Sequence, residues 1–169
     1  PSVGMETTMR LPSTLLLSLT ATLIAPLLVS AAEFPVGEPQ IVAGMEIAAV
    51  YLQPIEMEPA GKMAPATTSD IHLEADVHAT SDNINGLAEG DWMPNLHISY
   101  VLLKDGDATP IIGTMMTMVA SDGPHYGDNV KLKGPGKYSL ILAIGSGGTE
   151  HHMFGRHVDK ETGVAPWPT

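Results

Sequence analysis

The chain of 169 residues contains no cysteine. That absence removes disulfides as a source of stability. It also removes every centre that requires a thiolate, including blue-copper, iron–sulfur and structural zinc–thiolate sites. Any metal bound by this sequence is held by histidine, methionine and carboxylate. Basic residues are scarce as well, 8 Lys and Arg against 19 Asp and Glu, for a net charge of −11. Such a balance argues against nucleic acid and anionic membrane surfaces as partners and permits cationic ligands. There is no His-Glu-x-x-His zinc signature and no Ser-His-Asp or paired-carboxylate constellation above background. Internal repeats and low-complexity tracts are missing too. Outside one apolar segment near the N-terminus, no stretch carries a convincing amphipathic helical period.

That segment has the anatomy of an export signal. "METTMR" gives a short n-region with Arg10, "LPSTLLLSLTATLIAPLLV" an apolar h-region broken by Pro26, and "VSAAEF" small residues suited to cleavage after Ala31 or Ala32. Ser, Thr and Pro interrupt the run, and its length is marginal for a membrane span. The expected division is therefore residues 1–32, comprising upstream residues and a secretory signal peptide, followed by one domain over 33–169.

The domain reads as all-β. "QIVAGMEIAAVYLQPI" is β-branched and apolar, interrupted by Gly44 and closed by Pro54, so one long strand or two broken at a bulge is expected. "NLHISYVLLKDG" alternates, with Leu96, Ile98 and Tyr100 on one face and His97 on the other, and ends in an Asp-Gly hairpin signal. "IIGTMMTMVA" reads as the returning strand and "YSLILAIGSGG" as another. About seven short strands with turn signals at regular spacing predict an antiparallel β-sandwich.

Within it, "DIHLEADVHA" separates two faces. Ile71, Leu73, Ala75, Val77 and Ala79 point one way, and His72, Glu74, Asp76 and His78 the other. A half-buried strand needs a polar outer face in any case, but Lys, Ser and Thr normally share it. A face built only of His, Glu and Asp is the donor set of a divalent metal. The strand alone leaves both readings standing. Elsewhere, "MVASDGPHYG" places Met118 seven residues before His125 across a Gly-Pro turn, which lets the chain bring imidazole back beside thioether. "HHMFGRHVD" adds His151, His152 and His157, so six of the seven histidines fall in three short segments.

"MEIAAVYLQPIEMEP", "DIHLEADVHA", "WMP", "MTMVASDGPHYGDN" and "GRHVDKETGV", in that order, resemble the periplasmic high-affinity iron-transport protein family over nearly the whole domain. The resemblance implies an immunoglobulin-like antiparallel β-sandwich, a homodimer, and a role beside an inner-membrane iron permease in bacterial iron uptake. It also implies copper binding, with iron handled as well. Carried over, the family's metal ligands fall on His72, Glu74, Met118, His125 and His157. His97, His151 and His152 match no ligand of the family; His151 and His152 read either as a secondary site borne on a loop or as solvent-exposed side chains. Asp76 and His78 read as groups that support the ligands or lead a cation in.

The donor chemistry agrees with the resemblance. Imidazole suits Cu(II), Zn(II) and Fe(II); thioether holds Cu(I); carboxylate is hard. A mixed set accommodates a metal that changes oxidation state. Three classes of function stay in play: metal delivery or processing for an iron permease, a metalloenzyme such as a copper-dependent iron oxidase, and a structural Ig-like module. The last gives no account of the clustered His, Glu and Met.

Overall fold

The computed structural model describes residues 32–147 and 154–167. The signal segment expected before Ala32, and the pair His151 and His152, lie outside the described residues. Among the described residues nine strands follow in order: β1 (Phe34–Pro35), β2 (Gln40–Val42), β3 (Met45–Leu52), β4 (Ile71–Ala79), β5 (Leu96–Lys104), β6 (Ile111–Thr114), β7 (Met116–Ala120), β8 (Gly123–Val130) and β9 (Tyr138–Ser146). Among the described residues the only helical element is a 3-10 turn, Ala66–Thr68. All strand pairings are antiparallel. One sheet of six strands runs β1-β3-β4-β8-β7, with β2 also on β3, and a second of three runs β6-β5-β9. The immunoglobulin-like sandwich expected from the sequence is the fold observed.

Alternation explains the core. Leu73, Ala75 and Val77 of β4, with Tyr126 and Val130 of β8, meet Leu96, Ile98, Tyr100 and Leu102 of β5 between the sheets. Each fully buried apolar side chain of this size contributes about 1.5–3 kcal/mol. With no disulfide to join the layers, two tyrosines bridge them by hydrogen bonds. The Tyr126 hydroxyl donates to the Met93 carbonyl (2.7 Å) and accepts from the Leu96 N–H (3.1 Å). The Tyr100 hydroxyl donates to Asp128 Oδ2 at 2.8 Å.

Three details depart from the sequence reading. The Gln40–Ile55 run contains neither a single strand nor a bulge. Ala43 and Gly44, at φ +53° and +73°, make a two-residue hairpin turn that pairs Val42 with Met45. Positive φ at both central residues is what a type I′ hairpin requires. Second, the returning strand divides. Ile111–Thr114 pairs with β5 in the small sheet, whereas Met116–Ala120 pairs with β8 in the large one. The crossing point is Met115, which is buried and donates its N–H to the Ile98 carbonyl at 2.8 Å. The Met115–Met116 doublet interrupts alternation, and core burial of the first member sends the chain to the other sheet. Third, the reversal before His125 lies at Ser121 and Asp122, because Ala120 already pairs with Gly123 and Pro124 sits in β8. The consequence anticipated for that reversal holds: Met118 is the register partner of His125.

Candidate metal centre

The centre lies on the face of the large sheet turned away from the core. Period-two alternation puts His72 and Glu74 of β4 on that face, together with His125, Gly127 and Asn129 of β8 and Met116 and Met118 of β7. Cross-strand pairing brings them together, since His72 is opposite Asn129, Glu74 opposite Gly127, and Met118 opposite His125.

This polar face is not solvated. His72 is 0 % exposed, His125 5 % and Glu74 7 %, so the reading of the strand as an ordinary wet face does not hold at these positions. Glu74 Oε1 lies 3.4 Å from His72 Nε2 and 3.4 Å from His125 Nε2. One ligand atom from each of the three residues falls within 4.8 Å of the others.

The hydrogen-bond partners determine which nitrogens are free. Asn129 Oδ1 accepts from the Ile55 N–H (3.2 Å), and its Nδ2 donates to the carbonyls of Ile55 (2.8 Å) and Ala64 (2.9 Å), which fixes the amide's orientation. The same Oδ1 stands 2.9 Å from His72 Nδ1, so Nδ1 carries the proton and donates. His72 Nε2 is then a bare lone pair, buried and without a partner. His125 Nδ1 lies 3.3 Å from the Gly123 carbonyl, leaving its Nε2 directed to Glu74. The bare Nε2 of His72, the Nε2 of His125 and a carboxylate oxygen of Glu74 thus converge. A buried arrangement of that kind is stabilised by a cation at the focus.

The titration shifts carry the same information. Burial lowers the His72 pKa to about 4, which keeps the ring neutral. Burial, reinforced by Asp76, Glu33 and Asp122, raises the Glu74 pKa to about 7. Those acids line an adjoining pocket of about 190 Å³ shared by Glu33, Glu74, Asp76, His78, Asp122 and His125. Asp76 is itself raised, chiefly by burial. A larger cavity of about 460 Å³ is lined mainly by apolar side chains such as Leu73, Leu102, Leu132 and Leu140 and holds none of these donors.

Of the five sequence-predicted ligands, the fold brings His72, Glu74 and His125 into one cluster and places Met118 at its border, opposite His125. His157 is elsewhere. It is exposed on the C-terminal loop, with Nδ1 2.7 Å from Thr162 Oγ1 and 3.6 Å from Asp159 Oδ2. His97 is exposed on β5. Sequence reasoning passed over Asn129 and Gly127, although the alternation His125–Gly127–Asn129 already put all three on one face.

Comparison with known proteins shows the family. A model of the Fe2+ transport protein family matches residues 30–169. The chain belongs to that family. A UPF0423 protein of Brucella abortus is 58 % identical over 155 residues, 88 % of this chain and 85 % of the relative. Among solved structures, copper-reconstituted P19 from Campylobacter jejuni superposes with a TM-score of 0.75 at 51 % identity, covering 80 % of this chain and 89 % of P19. A copper-bound glutamate-to-glutamine variant of FetP from uropathogenic Escherichia coli gives 0.75 at 48 % identity, with 80 % and 89 % coverage. Both of these structural neighbours were solved with copper; in this chain, among the described residues, His72, Glu74 and His125 form a group that could hold a metal ion.

Proposed function

We propose that this chain is a periplasmic copper- and iron-binding protein that acts in high-affinity iron uptake beside an inner-membrane iron permease. The observation that carries the reading is the buried, partnerless Nε2 of His72, aimed with His125 Nε2 at a single Glu74 oxygen. His72, His125 and Glu74 would hold copper with Met118 as the soft donor, and copper there would supply one-electron redox chemistry. The adjoining acids, Glu33, Asp76 and Asp122, offer the hard oxygen donors that iron prefers and a negative entry for a cation. His157, exposed and outside the cluster, is proposed to reach the centre of a second copy in a homodimer. Metal analysis of protein purified without chelating resin, followed by copper and iron titration, tests the reading. Absence of both metals and of any binding would overturn it.

A copper-dependent iron oxidase is the second reading, favoured by the contact between an acidic pocket and a redox-tolerant donor set. Oxygen consumption on adding ferrous ion, with and without copper, separates the two. Turnover only with copper selects the oxidase.

Met118 provides a finer test. Met118→Leu conserves volume and apolarity, so the fold should lose less than about 1.5 kcal/mol. The expected result is a large loss of Cu(I) affinity with Cu(II) and Fe(II) little changed, because only thioether discriminates for the soft ion. Competition titration in both oxidation states reads it, and unchanged Cu(I) affinity would reduce Met118 to packing.

Export has its own check. N-terminal sequencing of periplasmic material should begin at Ala32 or Glu33, and recovery of residues upstream of Val29 would contradict cleavage at the small-residue site.

A further inference from the structure

We propose that Gly127 is a positioning residue of the metal centre: its bare Cα is what allows the His72 ring and the end of Met118 to close on the same space. The inference rests on the metal reading of the His72–Glu74–His125 cluster and adds a residue that donates nothing to the metal.

Gly127 has no backbone reason to be glycine. It lies within β8, paired with Glu74 on one side and Met116 on the other, and its φ is outside the left-handed region. An alanine there would adopt the same strand conformation at no conformational cost, and glycine inside a strand normally weakens it. The reason lies in what a side chain would meet. A Cβ at position 127 would stand 2.6 Å from His72 Nε2, 2.9 Å from His72 Cε1 and 3.2 Å from Met118 Cε. The first two distances are shorter than any real Cβ contact, so the ring would have to move.

His72 has little freedom to move. Its Nδ1 is bonded to Asn129 Oδ1, and Asn129 is tied to Ile55 and Ala64. Displacing the ring breaks that bond or redirects Nε2 away from Glu74 and His125. The methionine end differs, because a thioether side chain is flexible and can swing aside. A methyl group at 127 is therefore expected to act mainly through His72, by turning its ligand atom off the focus of the cluster. Asn129 fixes which His72 nitrogen is free, and Gly127 fixes where that nitrogen stands.

The experiment compares the full exported domain as wild type, Gly127→Ala, His72→Ala and the double variant, with Cu(II) ions as the probe. Three quantities are read: affinity by chelator competition, imidazole nitrogen coupling in the copper EPR spectrum, and the melting temperature of metal-free protein. Gly127→Ala is expected to weaken Cu(II) roughly tenfold to a hundredfold, the range found when a residue supporting a ligand is lost. It should also lose or alter the coupling from one imidazole. In the His72→Ala background the same substitution should change neither affinity nor melting, because the ring it collides with is gone. A Gly127→Ala variant that folds only in that background places the collision at the ring, as proposed. Unchanged affinity and EPR in Gly127→Ala would overturn the proposal while leaving the centre intact. So would failure to fold in both backgrounds, which would make the glycine a requirement of the strand. A wild-type protein without imidazole coupling would overturn the centre itself, and this role with it.

Discussion

Replacing His125 with alanine is expected to lower copper affinity by more than about a hundredfold, beyond the tenfold to hundredfold cost of losing a residue that only supports a ligand. His125 supplies one of two imidazole nitrogens at the cluster, and its Nε2 is 3.4 Å from the carboxylate oxygen it shares with His72. Among the described residues no histidine besides His72 shares the cluster with it: His97 and His157 are exposed elsewhere, and His78 lines the adjoining acidic pocket. The fold should survive, because His125 occupies the outer face of β8 and is not part of the core formed by Leu73, Ile98 and their neighbours. Chelator competition measures the loss, and thermal melting of the metal-free variant separates it from misfolding. Affinity close to that of wild type in a folded His125→Ala protein would mean that the copper site is elsewhere.

The second large effect concerns pH and assigns it to a carboxylate. A share of three histidines among five ligands suggests a fall in affinity through the ordinary imidazole range. The structure takes His72 out of that range and puts Glu74 into it. Burial has already lowered His72 to about 4, so its ring is neutral and ready to bind far below neutral pH. Glu74, raised to about 7, must surrender a proton to bind metal below that pH. Copper affinity is expected to lose about tenfold per pH unit below about 7 on account of the Glu74 proton. It should fall more steeply near pH 4, where His72 also charges. Glu74→Gln should flatten the upper part of the profile and lower the affinity above it.

Metal-free stability gives the complementary result. Because the folded pKa of Glu74 lies above its ordinary value of 4.5, its contribution to stability is present below 4.5 and is lost as pH rises to about 7. His72 has the opposite sign: its contribution is present above 6.5 and is lost as pH falls to about 4. The two slopes oppose each other between those limits. Removing the carboxylate leaves the His72 slope alone. Metal-free Glu74→Gln should therefore melt higher than wild type above pH 7, and the advantage should vanish below pH 4.5. Melting curves of chelator-treated proteins check it. Identical pH profiles for the two proteins would mean that Glu74 is not the buried acid described.

Several features were legible in the chain because they depend only on local periodicity and residue chemistry. A period of two separates Leu73, Ala75 and Val77 from His72, Glu74 and Asp76 whatever the strand pairs with. The same rule puts His125, Gly127 and Asn129 on one face of β8, although only the histidine draws attention as a donor. The absence of cysteine confines the ligands to His, Met and carboxylate. Gly44 marked an interruption, but a glycine alone does not distinguish a bulge from a hairpin. The distinction rested on Ala43 accepting a positive φ, which the pairing of β2 with β3 imposes.

What the sequence determined by itself was therefore the donor set and the face on which each donor stands. Tertiary structure decided whether that face would be wet or dry, and which donors would meet. Asn129 ties the segment between β3 and β4 beside His72, so a polar strand face became a buried one with an orphaned lone pair. Core burial of Met115 sent β7 to the larger sheet, where Met118 meets His125. His157, equal to the others as a donor in the sequence, remained outside the cluster on an exposed loop. Periodicity reports the direction of a side chain relative to its own strand. Proximity between strands depends on pairing and sheet choice, which are settled by long-range burial and hydrogen bonding.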